Sequence, residues 1–503
     1  MKDVVIGLDI GTSSVKAAVF EKNGRLLCKS NSPIVIHSPA PGWAEQEPVD
    51  WWNAVCIVLK TVLNEVYPER VAAVGLSGQC PGQVLIDHDK NPIGRAIIWQ
   101  DQRATQEAAW LEENISSPQA LQWVGTDSLA GAACPPARLL WLKNHREQDW
   151  NQAETVLQPK DFIALQLTGK VGTDRQSAYC LANPENGLYA PDYFKVLGIP
   201  LEKMPPTLRP TDLIGQVSRS AGLATGLEAG TPVIIGTIDA YCDNLAGGVI
   251  YPDRAVDVAG TSEIVSLAVD KKLEADGVFS AGFDNNSAFL CGPTQAGGDT
   301  LRWLASCFYS EFAPAINYAR MEAEAGTAPA GCDGLVFLPY LNGERAPVWD
   351  SKARGVFLGL TLRHDRSYCA RAVYEGVGYA VRHILDISEK AAGKKAQDFV
   401  ICGGGSRSTF WNQLKADILQ RPIRPALIGE TGCLGAAILA SVGTGTYRGL
   451  KEACDHLVIL RDPVTPNQAW ADQYEINYRT YLNLYPAIRP VLSVAMGREN
   501  GEK

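Results

Sequence analysis

The pattern of apolar and polar positions predicts strands and helices in alternation. Residues 4–10 form a short apolar run typical of a buried strand, residues 15–20 predict a second strand with partial alternation, and residues 11–14 join them as a hairpin. Further strands are predicted at 71–78, 231–236 and, entering a loop, 399–405, and helices at 51–63, 368–389 and 410–420. Mixed signals of this kind favour layered α/β architecture.

The first hairpin pattern returns about half a chain later. The run DIGTSSVKAAVF at residues 9–20 matches VAGTSEIVSLAV at residues 258–269, and both place Gly-Thr-Ser before a strand. A repeat with this offset predicts two related halves whose hairpin turns are opposed across a cleft. Chance similarity is the alternative, because Gly-Thr-Ser is a common turn triplet.

The length of the chain, 503 residues, is more than one hydrophobic core usually serves, so two domains are expected. The glycine pair after Ala246 predicts a boundary close to residue 245. The expected domains are residues 1–245, carrying the first hairpin turn, and residues 246–503, carrying the second.

Charge and cysteine content narrow the function classes. Asp and Glu number 55 against 46 Lys and Arg, a net charge of -9, which disfavours general attraction to nucleic acid. Thirteen cysteines, an odd number without a Cys-x-x-Cys pair, indicate reduced thiols in a cytoplasmic protein. The sequence has no apolar run near 18 residues and no small-residue cleavage site, so neither membrane insertion nor secretion is expected.

Three glycine-containing turns are candidates for binding phosphate, at residues 11–13, 260–262 and 403–405. Glycine lets an anion approach several backbone N–H groups at once. The first two turns add Thr and Ser hydroxyl groups, and the third leads into a helix whose amino terminus could face a nucleotide. Each turn taken alone is also consistent with a simple connection between elements.

Asp9 stands where the first strand meets the first of these turns. A carboxylate beside a phosphate turn would be repelled by the anion unless a divalent cation, best met by hydrated Mg²⁺, lies between them. Asp9 is therefore a candidate metal ligand. The alternative is a side chain that caps the turn.

A second acid of interest is Asp239, which follows a predicted strand at the start of a helix. A carboxylate there could accept the proton of a hydroxyl group that attacks a γ-phosphate. Asp243, four residues later, is an equal candidate on local sequence alone. The chain has neither a Gly-x4-Gly-Lys-Ser/Thr loop nor protein-kinase loop motifs, so phosphate transfer would use another fold.

A series of ordered segments covers nearly the whole chain: GLDIGTSSVKAAVF, GWAEQEPVDWW, LSGQCPG, IIWQDQRA, PPARLLWLKNH, GTIDA, VAGTS, YLNGERAPVWDSKARGVFLGLTLRHDR, CGGGSRSTFWNQLKADILQRPI and ETGCLGAAILA. In these segments the chain resembles the FGGY family of carbohydrate kinases. The resemblance implies the two-domain α/β ATPase fold of actin and hexokinase, with a duplicated core and an interdomain cleft. It also implies ATP and Mg²⁺ as cofactors.

The resemblance implies roles for individual residues. It makes Asp239, rather than Asp243, the catalytic base, and Asp9 the metal-associated acid. The implied nucleotide-binding residues are Gly11, Thr12, Ser13, Gly260, Thr261, Gly404, Gly405 and Asn412. The implied sugar-side residues are Gln79, Cys80, Asp101, Arg103 and Asp239.

The chain departs from the family pattern near the sugar. Within the family the likeness is nearest to xylulose kinases and other pentulose kinases, which carry Met-His where Cys80-Pro81 stand here. Thr237-Ile238 replace glycines before the catalytic aspartate, and Arg138 stands where lysine is usual. These departures leave the sugar open.

The expected function is ATP-dependent phosphorylation of a ketose, with xylulose or a related pentulose first. Kinases of ribulose, glycerol or erythritol-like substrates, and a catalytically silent sugar-sensing homologue, are the alternatives. An actin-like or chaperone-like ATPase is less consistent with the GERAPVWDSKARG segment. The expected partner is a small-molecule sugar, with no nucleic acid and no membrane, and a homodimer is left open.

Overall fold

The chain divides into two compact units. The computed structural model describes residues 2–126, 129, 131–284, 287–312 and 316–496. The first unit comprises residues 1–246 together with 430–457, and the second comprises residues 247–429 together with 458–503. The first break lies next to the predicted boundary at residue 245. Residues 430–457, however, belong to the first unit, although they follow most of the second unit in sequence.

Twenty strands lie in the described part of the chain. They are β1 (Val4–Ile10), β2 (Ser14–Glu21), β3 (Leu26–Pro33), β4 (Glu45–Gln46), β5 (Val71–Gly78), β6 (Val84–Ile86), β7 (Ala96–Ile97), β8 (Thr155–Leu157), β9 (Thr173–Asp174), β10 (Thr207–Leu208), β11 (Leu213–Gln216), β12 (Pro232–Ile238), β13 (Arg254–Ala259), β14 (Glu263–Val269), β15 (Phe279–Asp284), β16 (Ser287–Pro293), β17 (Val336–Leu338), β18 (Val356–Leu358), β19 (Asp398–Cys402) and β20 (Arg424–Pro425).

Sixteen α-helices accompany them in the same described residues. They are α1 (Pro48–Leu63), α2 (Thr105–Asn114), α3 (Ser117–Val124), α4 (Pro135–His145), α5 (Glu147–Gln152), α6 (Pro159–Thr168), α7 (Pro191–Leu197), α8 (Arg219–Thr225), α9 (Asp239–Ala246), α10 (Gly298–Phe308), α11 (Tyr318–Ala325), α12 (Arg366–Ala392), α13 (Thr409–Leu419), α14 (Thr431–Gly443), α15 (Leu450–Leu457) and α16 (Ala471–Met496).

The first unit is built on a six-stranded mixed sheet in the order β11-β12-β5-β1-β2-β3. Strand β1 pairs antiparallel with β2 and parallel with β5, and β5 pairs parallel with β12. Helices α1 and α6 contribute apolar residues to the core beside the sheet. Helix α14 approaches β1 and β5 so closely that a Cβ on Gly7 would lie 1.8 Å from the carbonyl oxygen of Cys433, and one on Gly75 would lie 2.0 Å from that of Ala436.

The second unit is built on a six-stranded sheet in the order β15-β16-β14-β13-β19-β20. Its first strand, β13, pairs antiparallel with β14 and parallel with β19, and β19 pairs parallel with β20. Five strands of each unit thus correspond: β3-β2-β1-β5-β12 in the first unit and β16-β14-β13-β19-β20 in the second. In both rows, two antiparallel pairs are followed by two parallel pairs. This common topology confirms the duplication that the repeated hairpin pattern predicted.

The sequence-based elements agree closely with the structure. The predicted strands at residues 4–10 and 71–78 coincide with β1 and β5. The predicted helix at 368–389 lies inside α12, which extends two residues before it and three residues after it. The two matched Gly-Thr-Ser turns connect β1 to β2 and β13 to β14, as predicted. Within the described residues, no helix combines the length and apolar character required to span a membrane.

Candidate active site

Asp9 lies near the end of β1, between two neighbouring strands that both contact its carboxylate. In register it faces Lys16 on β2 and Ser77 on β5. The Ser77 hydroxyl donates a 2.8 Å hydrogen bond to Asp9, and the Lys16 Nζ lies 3.5 Å from the other carboxylate oxygen. Asp9 is 5% exposed, and its charge raises the pKa of Lys16. The acid is therefore a buried, charge-compensated group at the base of the first turn.

Two further acids of the first unit stand on α9. Asp239 is the first residue of the helix and accepts a 2.7 Å hydrogen bond from the backbone N–H of Ala240. Asp243 follows one helical turn later, and both side chains are half-buried. Burial, followed by the charges of Asp9 and Asp243, raises the pKa of Asp239 well above its usual range. Burial and Asp9 raise the pKa of Asp243 to about 7.

The amino terminus of α14 adjoins these acids, a feature for which the sequence offered no prediction. The Thr431 hydroxyl donates a 2.5 Å hydrogen bond to Asp243. A Cβ on Gly432 would lie 2.8 Å from the carboxylate carbon of Asp9, so a side chain at residue 432 would displace that acid. The segment ETGCLGAAILA was recognised as typical of the family, but no residue in it was given a role.

The first predicted phosphate turn, residues 11–13, is held by three side chains of the first unit. The Trp99 indole N–H donates to the Thr12 hydroxyl at 2.8 Å, and the Gln46 amide donates to the Thr12 carbonyl at 2.7 Å. The Gln79 amide donates to the Gly11 carbonyl at 3.3 Å and to Gln46 at 2.8 Å. Gln79 is 1% exposed, and its Oε1 has no hydrogen-bond partner among the described residues. The predicted sugar-side glutamine thus contacts the predicted phosphate turn.

Cys80, beside Gln79, is joined to Pro81 by a cis peptide bond. Its thiol lies 3.8 Å from the carbonyl oxygen of Ser177, to which it donates. Burial, together with the charges of Asp239 and Asp174, raises the pKa of the Cys80 thiol well above its usual range. The thiol is therefore a neutral group beside the candidate base.

The other two predicted sugar-side residues, Asp101 and Arg103, are buried and pair with each other. The Arg103 Nε and Nη2 donate to the Asp101 carboxylate at 2.9 and 2.7 Å, and Nη2 lies 2.8 Å from Glu45. The guanidinium group lies over the Trp43 ring at 3.7 Å. Among the described residues its buried Nη1 has no hydrogen-bond partner, so this is the donor of the pair that remains for a ligand.

The second hairpin turn, residues 260–262, belongs to the second unit and is covered by the start of α10. The Gly298 N–H donates to the Gly260 carbonyl at 3.0 Å, and the Asp299 N–H donates to the Thr261 carbonyl at 2.9 Å. A Cβ on Gly297 would lie 2.6 Å from the Cα of Ser262. Sequence reasoning missed this glycine pair, although Gly-Gly before an amphipathic helix was the signal that could have indicated it.

The third glycine turn packs on the strand that leads into the second. Gly403 has a φ of 79°, and a Cβ on it would lie 2.8 Å from the carbonyl oxygen of Ala259. A Cβ on Gly405 would lie 2.7 Å from the Ala259 Cβ, whereas one on Gly404 would meet no atom within 4 Å. The two turns of the second unit are thus adjacent, and Gly404 has room for a ligand.

Asn412 holds the third turn from behind. It is 3% exposed, and its amide N–H donates to the Ser406 carbonyl at 2.8 Å. Its Oδ1 has no hydrogen-bond partner among the described residues. The amide thus supports the loop directly, while its predicted contact with a nucleotide stays a prediction.

A buried ion triad connects helix α13 to the second hairpin. The Lys415 Nζ lies 2.7 Å from Asp257 on β13 and 2.9 Å from Glu263, the first residue of β14. All three side chains are inaccessible to solvent. Burial raises the pKa of Glu263 well above its usual range, and the Asp257 charge adds to this effect. No sequence pattern had indicated the triad.

Arg345, in the GERAP segment, reaches the same hairpin. Its Nη2 donates to the Ser262 hydroxyl at 3.2 Å and to the Thr294 carbonyl. The preceding residue, Glu344, accepts hydrogen bonds from the backbone N–H groups of Gln295 and Arg345, and burial raises its pKa to about 7. The segment resembles the family pattern, but the sequence alone gives no reason to place either residue in the site.

The acids of the first unit fit a hydrated cation. No group of three or more His, Cys, Asp or Glu side chains is arranged as a metal site in the part of the chain that the structure describes. Hydrated Mg²⁺ needs only one or two protein carboxylates, because water and substrate phosphates supply its remaining ligands. Asp9 meets this requirement, because its charge helps to raise the pKa of both Asp239 and Asp243, and a divalent ion beside it would offset that repulsion.

Comparisons with known proteins identify the family. The model of the FGGY family of carbohydrate kinases, N-terminal domain, matches residues 4–246, and the model of the C-terminal domain matches residues 255–444. The chain belongs to the FGGY family. It is therefore a carbohydrate kinase, which transfers a phosphoryl group to a sugar, with ATP as the donor that the family implies.

Relatives and solved structures match almost the full length. The xylulose kinase of Staphylococcus epidermidis is 29% identical over 495 residues, covering 96% of this chain and 97% of that protein. The L-xylulose/3-keto-L-gulonate kinase of Escherichia coli is 30% identical over 501 residues, with coverage of 96% and 97%. The crystal structure of xylulose kinase from Rhodospirillum rubrum has a TM-score of 0.85 and 30% identity, and covers 97% of this chain and 99% of that one. The predicted fold is thereby confirmed.

Proposed function

We propose that this FGGY kinase transfers the γ-phosphate of ATP to a hydroxyl group of a ketose, with xylulose or a related pentulose as the substrate. The observation that carries the proposal is Asp239, which begins α9 with a raised pKa in the same unit as Asp9 and the first phosphate turn. The full-length similarity to xylulose kinases supports the choice of sugar.

Asp239 serves as the general base in this proposal. A carboxylate with a raised pKa can accept the hydroxyl proton as the sugar oxygen attacks the γ-phosphorus. The bond from that phosphorus to the β–γ bridging oxygen breaks, and ADP leaves. Asp243, one turn further along α9, already accepts a side-chain hydrogen bond from Thr431, which favours Asp239 as the acid that meets the sugar.

Asp9 holds hydrated Mg²⁺ in this proposal. The ion, when bound, neutralises charge that develops on the phosphate oxygens. Asp9 is suited to this role because Ser77 and Lys16 fix its carboxylate from both neighbouring strands. Thr12 and Ser13 supply N–H and hydroxyl donors for phosphate oxygens, while Gly11, whose N–H donates to the Ser14 carbonyl, forms the bend of the turn.

The second unit binds the nucleotide in this proposal. Gly260 and Thr261 contact phosphate, while Gly404 and Gly405 form the loop for adenosine, with Asn412 behind it. The packing of the third turn on Ala259 supports this division, since it makes the two turns neighbours. Gln79, Cys80, Asp101 and Arg103 remain the proposed sugar-side residues, with the unpaired Gln79 Oε1 and Arg103 Nη1 as an acceptor and a donor for sugar hydroxyl groups.

A coupled assay for ADP release tests the proposed activity. The purified full-length protein is mixed with ATP, MgCl₂ and one acceptor at a time, chosen from D-xylulose, L-xylulose, ribulose, 3-keto-L-gulonate, erythritol and glycerol. We expect a xylulose to give the highest kcat/KM and ADP release to be slow without an acceptor. Sugar binding without ADP release would instead identify a sensor, and equally fast release without sugar would identify a simple ATPase.

The variant Asp239→Asn tests the base. We expect kcat to fall by about 10² to 10⁴, the usual contribution of general base catalysis, while ADP affinity measured by calorimetry stays within about twofold. Asp243→Asn is the matched control on the same helix, with a smaller expected loss. Wild-type turnover in Asp239→Asn would refute the assignment, and an equal loss only in Asp243→Asn would transfer the role to that residue.

A further inference from the structure

A buried ion cluster of Lys160, Asp161 and Asp174 lies in the first unit. The Lys160 Nζ lies 2.6 Å from Asp161 and 2.9 Å from Asp174, and the three side chains are almost completely excluded from solvent. Neither the family resemblance nor the proposed reaction gives these residues a role. Burying three charges is costly unless their hydrogen bonds are satisfied, so the partners of the cluster indicate what it holds in place.

Asp174 is the centre of this cluster. Besides Lys160, its carboxylate accepts hydrogen bonds from the backbone N–H groups of Gln176 at 3.0 Å and Ser177 at 3.3 Å, and from the Ser177 hydroxyl. It also accepts a hydrogen bond from the Thr237 hydroxyl at 2.8 Å. One carboxylate therefore binds groups from three separate segments of the chain.

The hydrogen bond from Thr237 connects Asp174 to the segment that carries the candidate base. Thr237 is fully buried on β12 and stands two residues before Asp239. In register it faces Ser77 on β5, and Ser77 in turn faces Asp9 on β1. Thr237 occupies a position where the family pattern has glycine, so this hydroxyl and its bond to Asp174 are features of this chain.

Ser177 and Lys160 contact the segment that carries the proposed sugar-side residues Gln79 and Cys80. The Ser177 carbonyl accepts the hydrogen bond of the Cys80 thiol. A Cβ on Gly78 would lie 3.0 Å from the Lys160 Cβ, so the end of β5 before Gln79 rests directly on this lysine. Cys80, like Thr237, departs from the family pattern, and both departures meet the same cluster.

We propose that Asp174 is a positioning residue that fixes Asp239 relative to the Cys80 loop, and that Thr237 transmits this constraint to the base. The inference rests on the proposed function, since it assumes that Asp239 takes the sugar proton next to a sugar held beside Cys80. A fully bonded ion cluster is rigid, and a displacement of about 1 Å between a base and its substrate can cost about 10² in rate.

Replacing the Thr237 hydroxyl without changing side-chain shape gives the sharpest test. We expect Thr237→Val to lower kcat with the preferred sugar by about tenfold, while the KM for ATP stays within twofold. Thr237→Ser, which keeps the hydroxyl, should stay within twofold of wild type in both constants. A wild-type kcat in Thr237→Val, or equal losses in both variants, would overturn the proposal.

A control residue just before the start of β12 separates positioning from stability. Thr231 is also fully buried and donates its hydroxyl to the Glu228 carbonyl at 2.8 Å. Thr231→Val therefore removes a comparable hydrogen bond at the opposite end of β12 from Asp239. We expect a similar change in Tm and an unchanged kcat. A loss of kcat in Thr231→Val equal to that in Thr237→Val would show that the effect is one of stability alone, against the proposal.

Hydrogen exchange tests the coupling without any turnover. We expect Thr237→Val, but not Thr231→Val, to speed amide exchange in peptides that contain residues 78–82 as well as those that contain residues 237–241. Unchanged exchange at residues 78–82 would overturn the coupling whether or not the wild-type protein phosphorylates a sugar. Absence of sugar-dependent ADP release in the wild type, with the expected exchange, would instead refute only the proposed function.

Discussion

The hydroxyl of Thr431 donates a 2.5 Å hydrogen bond to the carboxylate of Asp243, a residue 188 positions earlier in the chain. Thr431 begins α14, and Asp243 lies on α9, so this bond joins the returning segment 430–457 to the helix that carries the candidate base. It also favours the charged form of Asp243 and opposes the effects of burial and Asp9, which raise the pKa of Asp243 to about 7.

The raised pKa of Asp243 predicts a pH-dependent cost to stability. The group has a pKa of 3.8 when unperturbed and about 7 in the fold. Between pH 4 and pH 7, therefore, Asp243 is protonated in the folded protein but ionised in the unfolded chain. Stability is highest below pH 4 for this group and falls as pH rises toward 7. In metal-free buffer, Asp243→Asn should therefore gain Tm relative to wild type by several degrees between pH 5 and pH 8, measured by differential scanning fluorimetry.

The control for this effect is Thr431→Val, which removes the hydrogen bond to charged Asp243 and keeps the acid. We expect the fall in stability with pH to extend to higher pH in this variant, because the pKa of Asp243 rises further. A difference in Tm between Asp243→Asn and wild type that is constant from pH 5 to pH 8 would contradict the raised pKa.

The second prediction concerns the metal. Asp9→Asn removes the negative charge but preserves the shape of the side chain between Ser77 and Lys16. We expect the Mg²⁺ concentration for half-maximal activity to rise by about tenfold or more, because one of the few protein carboxylates available to the ion is lost. The measurement is a Mg²⁺ titration of ADP release at saturating sugar, with Ser77→Ala as the control that keeps the charge. A Mg²⁺ titration of Asp9→Asn that matches wild type would count against the site.

The third prediction concerns the triad of Lys415, Asp257 and Glu263. Lys415→Met leaves two buried acids without their cation, so we expect the free energy of unfolding to fall by about 3–5 kcal/mol. Arg479 is the matched control in the same unit, since it pairs with Glu475 at 2.9 Å but is 74% exposed. Arg479→Met should cost about 0.5 kcal/mol or less. Urea denaturation of both variants measures the difference, and equal effects would show that the triad is not a strong interaction.

The fourth prediction concerns Arg345, which donates to the Ser262 hydroxyl in the second hairpin turn. If that turn binds phosphate, Arg345→Gln should raise the KM for ATP by about tenfold, equivalent to about 1.4 kcal/mol, while the KM for sugar stays within about twofold. Arg354 lies nine residues later and donates to the nearby carbonyls of Ser351 and Ala353. Arg354→Gln is therefore the control, and an equal rise in that variant would remove the special role of Arg345.

Local patterns in the sequence were sufficient to predict the strands, the hairpins and the position of Asp239 at the start of a helix. A strand followed by Asp at a helix start can be read from neighbouring residues, because side-chain periodicity and capping are local properties. The duplication was also visible in sequence, since the two matched turns connect equivalent strands in sheets of the same order. The choice of Asp239 over Asp243 came from the family resemblance and stays a prediction.

Other parts of the site were beyond local reasoning. Gly432 belongs to a segment that follows most of the second unit, yet it contacts Asp9. Asp101 and Arg103 were predicted to face a sugar, whereas much of their hydrogen bonding is with each other and Glu45. The start of α10 and the partners of Lys415 likewise depend on which elements become neighbours after folding.

The sequence by itself determined the family, the two repeated turns and the presence of an acid at the end of the first strand. These features follow from the order of residue types along a few turns of chain. Only the tertiary structure decided that Ser77, Lys16 and Gly432 surround Asp9, and that Asp174 connects Thr237 to Ser177. Such contacts join residues tens to hundreds of positions apart, so they are fixed by strand register and helix packing rather than by local sequence.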